Sequence, residues 1–252
     1  MTDGTETEMG EQESRYSLRN LYRLIRDVEN WYDVLLYEAG LKKECVAVFR
    51  NGVRIHYIPQ FFQLSATSPH GDPFDYIDVR GRDVLDVGAS IGDTAIRFAM
   101  KGARRVIALE PFPFAYQEAL RNIRMNGFKS IIILNKGLSD KKGSIKIPPS
   151  YIGDVRNHAT NFGNGQEVEI TTLEELVREY DLHDAVLKTN CEGCEYEFLL
   201  GSSYETLSRF KEIILYYHSG KDSLVKYLAP LFSIQIIIEH PIQGTLFCKR
   251  VF

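Results

Sequence analysis

The stretch Val84-Leu85-Asp86-Val87-Gly88-Ala89-Ser90-Ile91-Gly92-Asp93-Thr94 reads as an apolar strand that turns at two glycines into a helix. Glycine permits a tight turn and a close backbone approach, and the amides that open a helix favour an anionic group. A turn of this kind is shared by many nucleotide-binding proteins. The spacing here excludes a dinucleotide fingerprint: one starting at Gly88 needs glycine at 90 and 93, where the chain has Ser90 and Asp93. Asp93 would also oppose a pyrophosphate on that helix start.

Outward from the turn, apolar runs and amphipathic stretches alternate. Strands are predicted over 84–87, 106–109, 131–134, 185–188 and 212–216, and helices over 94–101, 114–126, 173–180, 196–200 and 223–231. Short apolar runs separated by helices specify a mostly parallel α/β sheet covered on both faces. Two last runs, 233–239 and 245–251, flank a short Pro-Ile-Gln-Gly turn, so they must pair as an antiparallel hairpin at the sheet edge.

This domain is predicted over 76–252. Residues 15–75 read as an N-terminal helix and β-hairpin extension, and residues 1–14 as a disordered acidic tail. Leu18, Leu21, Ile25, Val28, Tyr32, Leu35 and Ala39 recur in steps of three and four, the apolar face of one long helix closed by Gly40. Runs at 45–49 and 53–58 meet across Asn51-Gly52, a pair suited to a type I′ turn. The stretch 61–75, with Pro69, Gly71 and Pro73, reads as a connector. Arg15, Arg19, Arg23 and Arg26 form a basic stripe, read as a solvated face, with an anionic partner as the alternative.

The 252 residues carry a net charge of -4, with 44% hydrophobic and 25% charged side chains, an ordinary globular composition that disfavours a general nucleic-acid binder. No apolar run approaches the roughly 18 residues that span a bilayer, and the N-terminus is acidic, so a cytoplasmic location is expected. Cys45, Cys191, Cys194 and Cys248 are too few for a disulfide framework and read as reduced thiols. Zinc at Cys191-x-x-Cys194 would need two further soft ligands, so both cysteines read as small packing residues and no metal site is expected.

Asp86 at the strand end, Asp93 at the helix start and Glu110 after the second strand make the pocket acidic. That balance suits a cofactor with an ammonium, a sulfonium and two ribose hydroxyls but no phosphate, namely S-adenosylmethionine (AdoMet). Glu110 follows Asp86 by 24 residues, where a carboxylate can accept both ribose hydroxyls.

Together with the 84–94 turn, Ala108-Leu-Glu-Pro-Phe112, Gly137-Leu-Ser-Asp140, Thr172-Leu-Glu-Glu-Leu176 and Leu187-Lys-Thr-Asn-Cys-Glu-Gly-Cys-Glu195 resemble the FkbM family of class I methyltransferases. The resemblance covers about 46–250. It implies a seven-stranded Rossmann-like sheet with AdoMet at the C-terminal ends of its strands. Asp86, Gly88 and Ala89 would face the methionine part, Glu110 the ribose and Phe112 the adenine, with Gly137 and Leu138 on the other side of the base. Ser90, Gly92, Asp93, Thr94, Pro111, Asn190 and Cys191 complete the expected cofactor set. The resemblance further implies O-methylation, often of sugar or polyketide hydroxyls. One position departs from the family pattern: Asn190 stands where Asp is usual in an Asp-x-Glu-Gly motif. Asn keeps a carbonyl acceptor but loses the charge, which weakens a metal or base role there.

A hydroxyl acceptor needs help losing its proton. His218, after the fifth strand, is the preferred base, and Glu192 and Glu195, after the fourth, are the available carboxylates, with charge at a helix start as their plainer reading. His158 lies in the polar loop 156–165, which reads as a substrate lid, and is the second choice of base. The expected acceptor is a small or glycosylated hydroxyl compound. Methylation of RNA, or AdoMet binding without turnover, are the alternatives.

Overall fold

The computed structural model describes residues 18–60, 73–151 and 159–251. The acidic tail 1–14, most of the connector 61–75, and His158 lie outside the described residues. A seven-stranded sheet organises the chain: β3 (Asp83–Val87), β4 (Arg105–Leu109), β5 (Ile131–Leu134), β9 (Ala185–Thr189), β10 (Phe210–Tyr217), β11 (Phe232–Glu239) and β12 (Gly244–Arg250). Their spatial order is β11-β12-β10-β9-β3-β4-β5. The five strands from β5 to β10 run parallel, and β12 is antiparallel to both β10 and β11. The predicted hairpin is therefore present, with its second strand inserted inside the sheet rather than placed at the rim.

β3 and β9 are buried along their whole length. Their alternate residues feed two cores, one on each face. Val84, Val106, Val186 and Ile214 belong to one, and Leu85, Ile107, Leu187 and Leu215 to the other. This is why these strands read as continuous apolar runs. From β3 the chain builds β4 and β5 on one side, then crosses to β9 on the other. That reversal opens a crevice between β3 and β9 at their C-terminal ends, where ligands of such sheets bind.

The N-terminal extension departs from the single long helix expected. It forms two, α1 (Leu18–Asp27) and α2 (Trp31–Glu38), because Val28 leaves the helix to bridge with Phe49. Asn30 holds the break, donating to the Val46 carbonyl at 2.8 Å and accepting from the Val48 N–H at 2.8 Å. Strands β1 (Val46–Val48) and β2 (Arg54–His56) pair antiparallel as expected. Their turn is not type I′: of Arg50, Asn51 and Gly52, only Gly52 has a positive φ, 88°. Phe49 donates to the Val53 carbonyl, so the three residues between them make a loop closed by a left-handed glycine. The hairpin shares a core with the sheet, and buried Asn122 links the two by accepting from the His56 N–H and donating to the Ile91 carbonyl.

A further three-stranded sheet, β6 (Lys136–Leu138), β8 (Gln166–Thr171) and β7 (Gly143–Ile147) in that order, lies between β5 and β9. The sequence reading missed it. Its strands are short, and although Ile145 and Ile147 in β7 and Val168 and Ile170 in β8 alternate with polar residues, neither strand offers more than this brief pattern.

Candidate active site

The turn after β3 passes through Gly88 (φ 75°), Ser90 (48°) and Gly92 (81°) into a helix, α3 (Asp93–Met100). Both glycines answer to backbone neighbours. A Cβ on Gly88 would lie 2.0 Å from the Asn190 carbonyl oxygen, and one on Gly92 would lie 3.2 Å from the Ala119 Cα. Gly88 thus lets the turn press against the loop after β9. Gly92 lets α3 close on the helix Pro113–Asn126.

Asp86 differs from its expected place. It is wholly buried, accepts a hydrogen bond from the Thr94 hydroxyl at 2.6 Å and pairs with Lys188 Nζ at 2.7 Å. Its carboxylate therefore braces the turn from within the sheet instead of opening on the rim. Lys188, also buried, donates to the Gly88 carbonyl at 2.8 Å. It fixes both the turn and Asp86, a role that sequence alone did not signal because a lysine inside an apolar strand reads as a strand-end residue.

Glu110 sits at the end of β4 with 5% exposure and accepts from the Ser90 N–H at 2.8 Å and the Phe112 N–H at 2.9 Å. Burial pushes its carboxyl up to about 7, against the two backbone N–H bonds and nearby Lys188, which favour the charged form. A carboxylate has about four acceptor positions, so two remain for the two ribose hydroxyls. Asn190 Oδ1 is buried without a hydrogen-bond partner, in the loop that Gly88 touches. A buried acceptor without a donor calls for one, and an ammonium supplies it. These two features fit AdoMet as cofactor.

On the base side, Phe112 stacks on Tyr151 with ring centroids 5.6 Å apart, and Tyr151 meets Phe162 at 4.7 Å. Pro111 flanks Gly137, and Gly137 and Leu138 are buried in β6. Tyr151 and Phe162 escaped the sequence reading, since isolated aromatics around a polar loop carry no periodic signal.

The loop after β9, Asn190 to Gly193, enters helix α6 (Cys194–Gly201). Glu192, at its tip, adopts a left-handed φ of 58°. The expectation of reduced thiols is corrected here: Cys191 and Cys194 are joined as a disulfide, 5.5 Å apart at Cα, while Cys45 and Cys248 are buried free thiols. Two cysteines three apart at a helix start reach each other because the turn brings their side chains to one side.

His218, just beyond β10, lies between two carboxylates. Its Nδ1 is 2.8 Å from Glu195 Oε1 and its Nε2 is 3.2 Å from Glu192 Oε2. Burial lowers its affinity for a proton, but hydrogen bonds to Glu192 and Glu195 outweigh this and push it up to about 9. Glu195 is fully buried and also accepts from the backbone N–H groups of His218 and Gly193. The structure thus places His218 between the two carboxylates of the loop after β9, Glu192 and Glu195.

A parallel sheet with this strand order, an acidic turn after β3 and a ribose-type carboxylate after β4 define an AdoMet-dependent methyltransferase of class I. The chain belongs to the FkbM methyltransferase family: the family described as Methyltransferase FkbM domain matches residues 86–237. S-adenosylmethionine is accordingly its cofactor. The electron transfer flavoprotein beta subunit lysine methyltransferase of Rattus norvegicus is 38% identical over 78 residues, 31% of this chain and 30% of that protein. The protein of the same description from Mus musculus is 37% identical over 60 residues, 24% of each chain. The matches thus span less than a third of these relatives. Among solved structures, a ribosomal protein L11 methylase from Lactobacillus delbrueckii subsp. bulgaricus is similar at 18% identity and a TM-score of 0.44, over 71% of this chain and 74% of that one. No helix among the described residues is long and apolar enough to cross a membrane.

Proposed function

We propose that this chain transfers the methyl group of AdoMet to a hydroxyl oxygen on a small or glycosylated acceptor. The observation that carries the reading is the Glu192–His218–Glu195 cluster beside Asn190, a set of proton-handling groups next to the cofactor loop. When bound, AdoMet supplies a methyl on a positive sulfur; the acceptor oxygen forms the new bond to carbon as the sulfur–carbon bond breaks and its electron pair stays on sulfur. An activated methyl leaves the protein two tasks, alignment with exclusion of water and removal of the hydroxyl hydrogen.

Glu110 would hold the ribose and Asn190 Oδ1 the ammonium, with Phe112 against the adenine. Asp86, Gly88, Thr94 and Lys188 would keep the turn in shape beneath them. The Glu192–His218 pair would take the hydroxyl proton. The arginine stripe gives little support to RNA as acceptor, because Arg26 is paired with Asp27 at 2.6 Å. A cytoplasmic setting and a small-molecule partner belong to this same reading.

Purified protein incubated with AdoMet and a panel of glycosides and polyketide alcohols tests it, with demethylated cofactor released and product analysed by NMR. An O-methyl product is expected. Methylation of a lysine peptide or a transcript in place of every hydroxyl compound would overturn the reading.

A further inference from the structure

Among the ionisable clusters of the molecule, the one on the acceptor rim carries a consequence for who holds the proton. His218 has a carboxylate at each ring nitrogen, Glu195 Oε1 at 2.8 Å from Nδ1 and Glu192 Oε2 at 3.2 Å from Nε2. An ionised carboxylate only accepts hydrogen bonds. A neutral imidazole has one N–H and one lone pair, so it can satisfy one of these oxygens and must oppose the other. The imidazolium, with two N–H groups, satisfies both.

Glu195 is placed to keep the ring in this state. It is fully buried, and its two oxygens take the His218 ring, the His218 backbone N–H at 3.2 Å and the Gly193 backbone N–H at 2.9 Å. Three of its contacts therefore converge on the two segments that form the rim. Among the described residues, the other groups facing the ring do not supply a competing cation: Tyr216 lies 4.9 Å from it, ring to ring, and the Tyr196 hydroxyl is engaged with the Ser219 N–H and the Gly220 carbonyl. Glu192 is the partly exposed member, on a left-handed residue at the loop tip.

We propose that His218 is a cationic strut and not the base: Glu195 holds it as an imidazolium, the imidazolium orients Glu192, and Glu192 receives the acceptor proton. Glu195 and His218 are positioning residues and Glu192 is the base. In balanced terms, the hydroxyl hydrogen moves to the Glu192 carboxylate, which becomes a neutral acid as the oxygen takes the methyl. The charge on His218 is unchanged throughout. The assignment of Glu192 as base rests on the O-methyl reading above; the protonation state of His218 does not.

The test uses the 15N-labelled full chain, with His218 signals assigned by loss in His218→Gln. Two protonated ring nitrogens at pH 7.5 and a midpoint near 9 are expected, and Glu195→Gln and Glu192→Gln should each lower that midpoint by about one unit or more. A wild-type ring carrying one proton at pH 7.5 overturns the strut. Should Glu195→Gln fail to fold, Glu192→Gln gives the same readout from the exposed side. On a hydroxyl acceptor, Glu192→Gln should lower kcat by about a hundredfold or more. His218→Gln should lower it less and keep the acidic limb of the pH–rate profile. Loss of that limb in His218→Gln overturns the assignment of the base. Failure of every hydroxyl acceptor, with the ring still doubly protonated and AdoMet still bound by calorimetry, would fall on the O-methyl reading and on Glu192 as its base, leaving the strut standing.

Discussion

Gly88 lies against the carbonyl of Asn190 so closely that a Cβ there would come within 2.0 Å of the oxygen. Two loops from separate strands, one after β3 and one after β9, are thereby joined backbone to backbone. The cofactor turn and the acceptor rim are coupled through that contact.

Gly88→Ala should therefore damage both. The residue has a φ of 75° as well as a backbone wall, so overpacking and the left-handed conformation act together. A loss of about 2–4 kcal/mol in stability is expected from the two effects combined. Thermal unfolding and calorimetry with AdoMet check it; an unchanged melting temperature together with unchanged affinity would rule the contact out as a constraint.

Lys188→Met should be costly in a different way. It leaves Asp86 buried with the Thr94 hydroxyl and no cation. Removing one partner of a buried pair costs about 3–5 kcal/mol, while replacing both with apolar groups costs less. Chemical denaturation of Lys188→Met and of the double variant Asp86→Leu/Lys188→Met should show the double variant to be the more stable of the two. The reverse order would mean that the pair is not what holds the turn.

AdoMet affinity should rise with pH. Glu110 is pushed up to about 7 by burial, so part of it is protonated at neutrality. Ribose hydroxyls donate to the ionised form, and binding must then release a proton from the neutral fraction. Affinity should increase as pH climbs from about 6 through the midpoint and level off above it. Calorimetry in buffers of different ionisation enthalpy detects the released proton. Glu110→Gln, which keeps a single carbonyl acceptor, should weaken binding by about tenfold or more and remove the pH dependence. Affinity in that variant that still tracked pH would point to another group.

Stability should fall on the alkaline side. The His218 imidazole rises from 6.5 to about 9 on folding, so the folded chain holds that proton more tightly than the unfolded one. Its contribution is complete below 6.5 and is lost as pH rises through 9. Denaturant midpoints measured across that window should decline in wild type and decline less in His218→Gln. Parallel declines in the two would show that the ring does not titrate with folding.

How far the sequence reveals this protein differs from part to part. The parallel sheet was legible because β3, β4 and β9 are apolar on both faces and stand between helices of regular period. Glu110 was legible because its distance from Asp86 is set by one strand–helix–strand unit. The second sheet was not, since Lys136–Leu138 and Gly143–Ile147 are short, and their pairing depends on a strand met only after a polar loop. The role of Lys188 was hidden for a related reason, and Glu195, legible as an available carboxylate, did not show its burial against His218. A buried charge is defined by a partner distant in sequence, Asp86 for one and His218 for the other, and spacing along the chain does not carry that information. The break between α1 and α2 was invisible because Val28 keeps the helical period even though its backbone pairs with Phe49.

The place of β12 bears on how the chain is assembled. It is the last of the described strands in chain order, yet it separates β10 from β11 and pairs with both. Until it is made, β10 has one open edge and β11 has two, and open edges are templates for wrong pairing. The strand that carries the chain up to His218 thus waits for a partner synthesised after it, and an unpaired strand edge is prone to aggregation in the interval. Truncation or misreading within Gly244–Arg250 should accordingly act as a biogenesis defect, lowering yield of folded protein while leaving every residue of the cofactor turn in place.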